Sequence, residues 1–430
     1  MIIKRTFPFV NLQIFFLTLS AFIIGALNAR EYTYLFGAGY ISRLAHLSLL
    51  IILFIIFLIF PRAMLFRHKR SKVLRFIIPL FLIVLLKYFV LFLTSPHEFL
   101  GGGIGIGLSG VFSSGERYFV ELFYFLIIFL SLIFFVCSIR NTRELAGINF
   151  YLVLGCAVAP AIGFIFFPNM VGTRVAVVEG VSFSGGFWNS SIVGMVTTFW
   201  FSLCLMEYYF KKQAVLLWLL LGVIIMGALV GLSRTAFVSL GSSLLVYFFL
   251  SRSFSKRIWL LLLFLAVSIL ILRNFDLVLY NMQSRLGQHS NLLNESRILI
   301  WQDYLAHISE YWMFGVSTEG YRVFSMEYMG PHSIFLNWLV RFGIVGLLGF
   351  LWLLYGVFLS VKKIRVYFSR ERYARVMAWT VSYITLVAYN ETGFQVPSLY
   401  AIFAFIFVLA EIGQEKQVVA GNQARTKQKE

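Results

Sequence analysis

The side chains best suited to handling anions and moving protons in this chain are Arg234, Arg297, His332, Ser333 and Arg341. A guanidinium offers paired N–H donors whose geometry matches phosphate oxygens. Arg234 stands between two apolar runs that together fill only about 37 residues, from Ala214 to Leu250, whereas two full membrane crossings need about 40. The turn is therefore held at or below the membrane surface, where an arginine is disfavoured by about 2.5 kcal/mol if it reaches the core. Such a residue has either a partner or a function, the competing reading being an arginine that caps a span and snorkels to the interface. Arg297 falls in the first turn of a helix that the pattern starts at Asn294 and ends before Gly315. Unpaired N–H groups there already favour an anion. His332 precedes Ser333 and Arg341, and a neutral imidazole with a pKa near 6.5 suits a general base that accepts a hydroxyl proton. Glu295, Glu319 and Glu327 are rival bases, because a carboxyl in apolar surroundings titrates nearer neutrality. His46, His97, His289 and His307 read as structural.

The elements that must position these residues are membrane spans. The chain of 430 residues is 60% hydrophobic and 13% charged, and its mean hydropathy is +0.86. An average soluble protein is about 45–50% apolar and about 25% charged, so a large soluble domain is excluded. Runs of about 20 apolar residues predict an all-α polytopic protein of about 12 spans. They lie near 7–27, 44–60, 76–94, 118–139, 147–167, 191–209, 214–232, 235–250, 258–272, 343–361, 376–389 and 398–412. The net charge of +18 is topological. Lys and Arg cluster at 62–75, 140–143, 211–212, 252–257, 362–375 and 416–429, which places both termini in the cytoplasm by the positive-inside rule. Nucleic acid is not needed to explain the charge.

The one large outer loop runs from Arg273 to Phe342. Within it Ile298, Trp301, Leu305, Ile308 and Trp312 recur at helical spacing, predicting an amphipathic helix that can lie on the membrane. Gly343 and Gly346 then permit close packing of the next span. Lys87 is the charge set well inside a span, and Glu121 sits near a span end. Two other features carry no chemistry. Gly105-x-Gly107-x-x-Gly110 has no strand before it and no βαβ unit around it, so it is no dinucleotide site. Cys137, Cys156 and Cys204 have no CxxC spacing and read as core. With Asp276 and Asp303 as its only aspartates, the chain predicts no metal site and no cofactor.

Ser233-Arg234-Thr235-Ala236, then Glu295-Ser296-Arg297 with Trp301, then Phe314-Gly315-Val316, then Pro331-His332-Ser333 followed by nine residues and Gly343-x-x-Gly346, resembles the O-antigen ligase and polymerase family of bacterial membrane glycosyltransferases. The resemblance covers roughly residues 170–360 of a single membrane domain. Within it, His332-Ser333 with Gly343 and Gly346 is similar to the ligase spacing. Arg174, ten residues and Gly185 is similar to an arginine–glycine spacing of polymerases, whereas no matching spacing starts from an arginine of the large loop.

The resemblance implies lipopolysaccharide or other surface polysaccharide biosynthesis in the inner membrane. A glycan linked to undecaprenyl pyrophosphate would pass, on the periplasmic side and without metal or nucleotide sugar, to an acceptor hydroxyl. That acceptor is a lipid-linked repeat unit for a polymerase, the favoured reading, or the lipid A-core for a ligase. His332, Arg234 and Arg297 are the expected catalytic residues, His332 either activating the acceptor hydroxyl or holding the phosphate, and Arg174, Arg234, Arg297, Ser333 and Arg341 the substrate-binding ones. A chain-length regulator is a candidate partner. A lipid-linked glycan flippase or transporter, with the same span count and termini, is the rival from another class.

Overall fold

A computed structural model of the chain describes residues 7–27, 39–59, 71–94, 114–166, 175–178, 181–184, 186–230, 234–251, 258, 296–316, 333–389 and 396–427. Its apolar runs are helical, since a backbone without water partners can satisfy its polar groups within one helix. They form α1 (Phe7–Ala26), α2 (Gly39–Ile59), α3 (Ser71–Thr94), α4 (Ser114–Ser138), α5 (Thr142–Phe166), α6 (Gly186–Cys204), α7 (Lys211–Val230) and α8 (Arg234–Leu250). After α9 (Ser296–Ala306) and α10 (Ile308–Tyr311), which fall in the loop expected on the outer side, come α11 (Ile334–Tyr367), α12 (Arg370–Tyr389) and α13 (Pro397–Lys427). Every expected span overlaps one of these helices except that near 258–272, which lies outside the described residues but for Ile258.

Among the described residues, five segments suffice by length and composition to cross a membrane: Lys72–Leu93, Thr142–Ile165, Lys211–Leu229, Ile334–Tyr367 and Pro397–Val419. Shorter apolar helices occupy Leu12–Ala26, Ser48–Ile59, Leu122–Ser138, Ser191–Cys204 and Thr235–Leu250. α12, expected to span over 376–389, belongs to neither group, because Arg370, Glu371, Arg372 and Arg375 fill its first turns. The all-α expectation gains one addition. β1 (Val175–Val178) pairs antiparallel with β2 (Val181–Ser184), Val175 opposite Ser184.

α13 is the hub, with 89% of its apolar window buried, whereas α3 and α7 at 28% form the rim. Phe405 of α13 meets Phe135 of α4 and Phe201 of α6 with ring centroids 5.2 and 5.8 Å apart, and Phe407 stacks on Phe76 of α3. α1 crosses α5 backbone to backbone. A Cβ on Gly25 would stand 2.4 Å from the Leu152 carbonyl oxygen, and one on Gly155 2.2 Å from that of Phe22. Small residues allow such crossings where no hydrophobic force drives helices together in lipid.

One end of the bundle gathers segments that the charge pattern assigns to the inner side. Arg372 pairs with Glu207 and donates to the Tyr208 hydroxyl at 3.2 Å. Arg375 donates to the Leu203 carbonyl and lies 3.4 Å from Glu371. Glu371 accepts from Tyr247 and, at 2.9 Å, from Ser251. These bonds tie the α6–α7 turn, the end of α8 and the start of α12 together.

Candidate functional site

The helix expected in the outer loop starts close to its expected position but breaks once. α9 begins at Ser296, and a turn at His307 separates it from α10. Its buried line is Ile300, Tyr304 and Tyr311, which pack on Val340 with Leu336 and Leu339 of α11 alongside. The Tyr311 hydroxyl donates to the Tyr304 carbonyl two turns back. The apolar line expected from the sequence is therefore not the packed one. Ile298 and Trp301 are half-buried, while Leu305, Ile308 and Trp312 are exposed. The segment carries two apolar faces, one spent on α11 and one turned outward.

α9 and α10 end on a reciprocal lock with α11. Gly315 and Gly343 both hold positive φ, 72° and 67°, a region that side-chain-bearing residues disfavour. Gly343 breaks α11 into a short N-terminal piece, Ile334 to Phe342, and a long C-terminal one. A Cβ on Gly343 would lie 2.1 Å from the Met313 carbonyl oxygen, and one on Gly315 2.5 Å from that of Arg341. Ile344 N–H donates to the Trp312 carbonyl and Val316 N–H to the Val340 carbonyl, both at 2.7 Å. Lys87 of α3 closes the lock, its Nζ donating to the Phe314 carbonyl at 2.6 Å and the Gly315 carbonyl at 3.2 Å.

Against this frame the sequence-derived residues fall as follows. Arg234 is the first residue of α8 and Arg297 the second of α9, and their side chains lie outside the described atoms. Ser333 is buried at the N-cap of α11, with extended backbone and no side-chain capping bond. Arg341 is half-buried on the last turn of the short N-terminal piece of α11, its backbone against Gly315. Arg174 and His332, with Glu295, Glu319 and Glu327, lie outside the described residues. The structure thus joins the helix of Arg297 to the helix that carries Ser333 and Arg341. α8, with Arg234, packs instead on α12, where Ser239 and Ser382 hydroxyls meet at 2.6 Å. Lys87 is the residue that sequence reasoning missed. It was read as a charge inside a span, and its burial cost was the signal that it must have partners.

A search of curated proteins finds no match. A family model described as O-antigen ligase matches residues 216–351. The match runs from α7 through α9 and α10 to the long C-terminal piece of α11, and includes Arg234, Arg297, His332, Ser333 and Arg341 but not Arg174 or Lys87. Residues 216–351 are thus similar to O-antigen ligase, which supports an O-antigen ligase/polymerase-like family for a chain whose long apolar helices are consistent with a membrane protein.

Proposed function

We propose that the protein is a glycosyltransferase of the bacterial inner membrane that moves an undecaprenyl-pyrophosphate-linked glycan to an acceptor sugar hydroxyl on the periplasmic face. The observation that carries this reading is where the matched region starts its helices. α8 opens on Arg234, α9 carries Arg297 as its second residue, and α11 opens directly after His332 and Ser333. Each helix start presents N–H groups without intrahelical partners, the positive end of its dipole. Arginines set at such ends suit a leaving pyrophosphate.

In the proposed step the acceptor oxygen bonds to the anomeric carbon as the bond from that carbon to the pyrophosphate oxygen breaks. The hydroxyl proton passes to His332, undecaprenyl pyrophosphate departs with its charge met by Arg234 and Arg297, and the anomeric configuration inverts. Arg174, Ser333 and Arg341 hold substrate. No metal ion takes part.

Polymerisation is the favoured outcome. Arg174 and Gly185 bracket β1 and β2, whose first and last residues, Val175 and Ser184, are paired, which gives the ten-residue spacing of the polymerase-like pattern a physical basis. Ligation to lipid A-core is the second reading, favoured by the description of the matched family and by the His332–Ser333 to Gly343 spacing. The flippase reading loses its best candidate for a charge on a transport path, since Lys87 is committed to two backbone carbonyls.

The test is transfer by the purified, reconstituted protein with a lipid-linked repeat unit in the presence of EDTA. Wild type should build ladders of longer lipid-linked glycan, and Arg234→Ala and His332→Ala should lose them by 100-fold or more, the size expected for a missing general base or oxyanion donor. Transfer only to an added lipopolysaccharide core would establish the ligase reading instead. Transfer to neither acceptor would overturn the enzyme assignment.

A further inference from the structure

We propose that the Trp312–Gly315 turn is inserted into the outer leaflet of the bilayer, and that Lys87 holds it there by occupying the two carbonyls the turn would otherwise expose to lipid. The inference concerns where the outer loop sits and stands apart from the transfer chemistry.

Lys87 lies seven residues before the end of α3 at Thr94, or about 10 Å along the axis at 1.5 Å per residue. Of the residues beyond it in α3, Phe89, Val90, Phe92 and Leu93 are apolar and exposed, Leu93 to 60%. On a rim helix such residues face acyl chains, so hydrocarbon continues outward past Lys87. The carbonyls it contacts, those of Phe314 and Gly315, therefore sit below the outer edge of the apolar layer.

α11 gives a compatible level. Gly343, locked to Met313, is 19 residues from Lys362, or about 28 Å, close to the roughly 30 Å hydrocarbon thickness of a bilayer. The turn is thus at or inside the outer boundary on both counts.

The side chains agree with that depth. Trp312, Met313 and Phe314 are consecutive, apolar and exposed, Phe314 to 68%, an arrangement unsuited to water and suited to the interface, where aromatic side chains collect. The backbone gives an independent reason. Non-helical chain at membrane depth is tolerated only if its polar groups find partners. Here Gly315 N–H donates to the Tyr311 carbonyl, the Trp312 carbonyl accepts from Ile344, and the Phe314 and Gly315 carbonyls accept from Lys87. A lysine can fill this role because its flexible stem packs against apolar surface while its three donors serve two acceptors at once.

The experiment is spin labelling of Phe314→Cys in proteoliposomes of phosphatidylethanolamine and phosphatidylglycerol, with depth read from the ratio of collisions with oxygen to collisions with a water-soluble nickel chelate. Cys137, Cys156 and Cys204 are buried, and unsubstituted protein measures their background. Leu93→Cys reports the lipid-facing end of α3, and Gln302→Cys an exposed position on α9. The expected result is a ratio at residue 314 matching that at 93, at least several-fold above that at 302, and falling toward the latter when Lys87→Met is added. A ratio at 314 equal to that at 302 in otherwise unsubstituted protein overturns the insertion, whether or not the Lys87 variant folds. An unchanged ratio in a folded Lys87→Met variant overturns the role of the lysine. None of these readouts depends on transfer activity, so failure here and failure of the glycosyltransferase reading are distinguishable.

Discussion

Gly343 holds a φ of 67° with the Met313 backbone 2.1 Å from where a Cβ would stand. The left-handed conformation alone costs a side-chain-bearing residue about 1–2 kcal/mol, and neither the Met313 carbonyl nor the rigid α11 start can yield easily. Gly343→Ala should therefore lower stability by more than about 2 kcal/mol, or release the α9–α10 segment from α11, and transfer should fall with it. Thermal unfolding in detergent measures the first, and limited proteolysis between 296 and 316 the second. Gly147→Ala is the control, since a Cβ there meets nothing within 4 Å and a helix-interior Gly→Ala stabilises by roughly 0.5–1 kcal/mol. Loss of equal size in both variants would show that Gly343 is not special. The importance of Gly343 as a small residue is legible in the sequence, but its backbone angle is not, because the angle answers to a turn that arrives from 28 residues away.

The α1–α5 crossing shows how a pair of helices can depend on one missing side chain each. Gly25 and Gly155 bring the two backbones together where any Cβ would meet a carbonyl oxygen or an amide nitrogen under 3 Å away. Gly155→Leu should force the helices apart by at least the width of a methyl group and cost several kcal/mol of packing, comparable with the 1–3 kcal/mol or more seen on overpacking. The check is a disulfide trap between cysteines placed on α1 and α5, which should form in the parent and fail in the variant. The outer-loop helix teaches the converse lesson. Its start near Asn294 and its stop at Gly315 follow from capping and termination signals, and α9 with α10 fills that interval. Its packed face does not follow. Ile298, Trp301, Leu305, Ile308 and Trp312 obey helical spacing as well as Ile300, Tyr304 and Tyr311 do, and periodicity cannot tell a face that meets α11 from one that meets lipid.

The whole molecule is arranged around charge as much as around hydropathy. Positions assigned to the inner side form one bonded cluster at Glu207, Leu203, Tyr247, Ser251, Glu371, Arg372 and Arg375, and Lys363 meets Glu411 at 2.6 Å nearby in sequence to it. The lock at Gly315 and Gly343 stands toward the other end of α11's apolar stretch, the end that the charge pattern assigns to the outer side. This polarity predicts a labelling pattern. In intact spheroplasts, Ser309→Cys should react with a membrane-impermeant maleimide, and Lys212→Cys should react only after permeabilisation. Labelling of Lys212→Cys in intact spheroplasts would reverse the proposed orientation.

Composition alone marked the chain as one suited to a bilayer, and the spacing of apolar runs determined where most of its described helices lie, because in lipid a local sequence must satisfy its own backbone. The order of Arg234, Arg297, His332 and Ser333 carries the resemblance to the O-antigen ligase and polymerase family, and it is that resemblance which implies a pyrophosphate-bearing substrate. Only the tertiary structure decided that Lys87 bonds to a turn more than 220 residues away, that Gly315 and Gly343 lock, and that the Arg297 helix rests on the one bearing Ser333 and Arg341. Contacts between backbone atoms of distant segments leave no period, cap or charge run behind them, so nothing in the linear chain announces them.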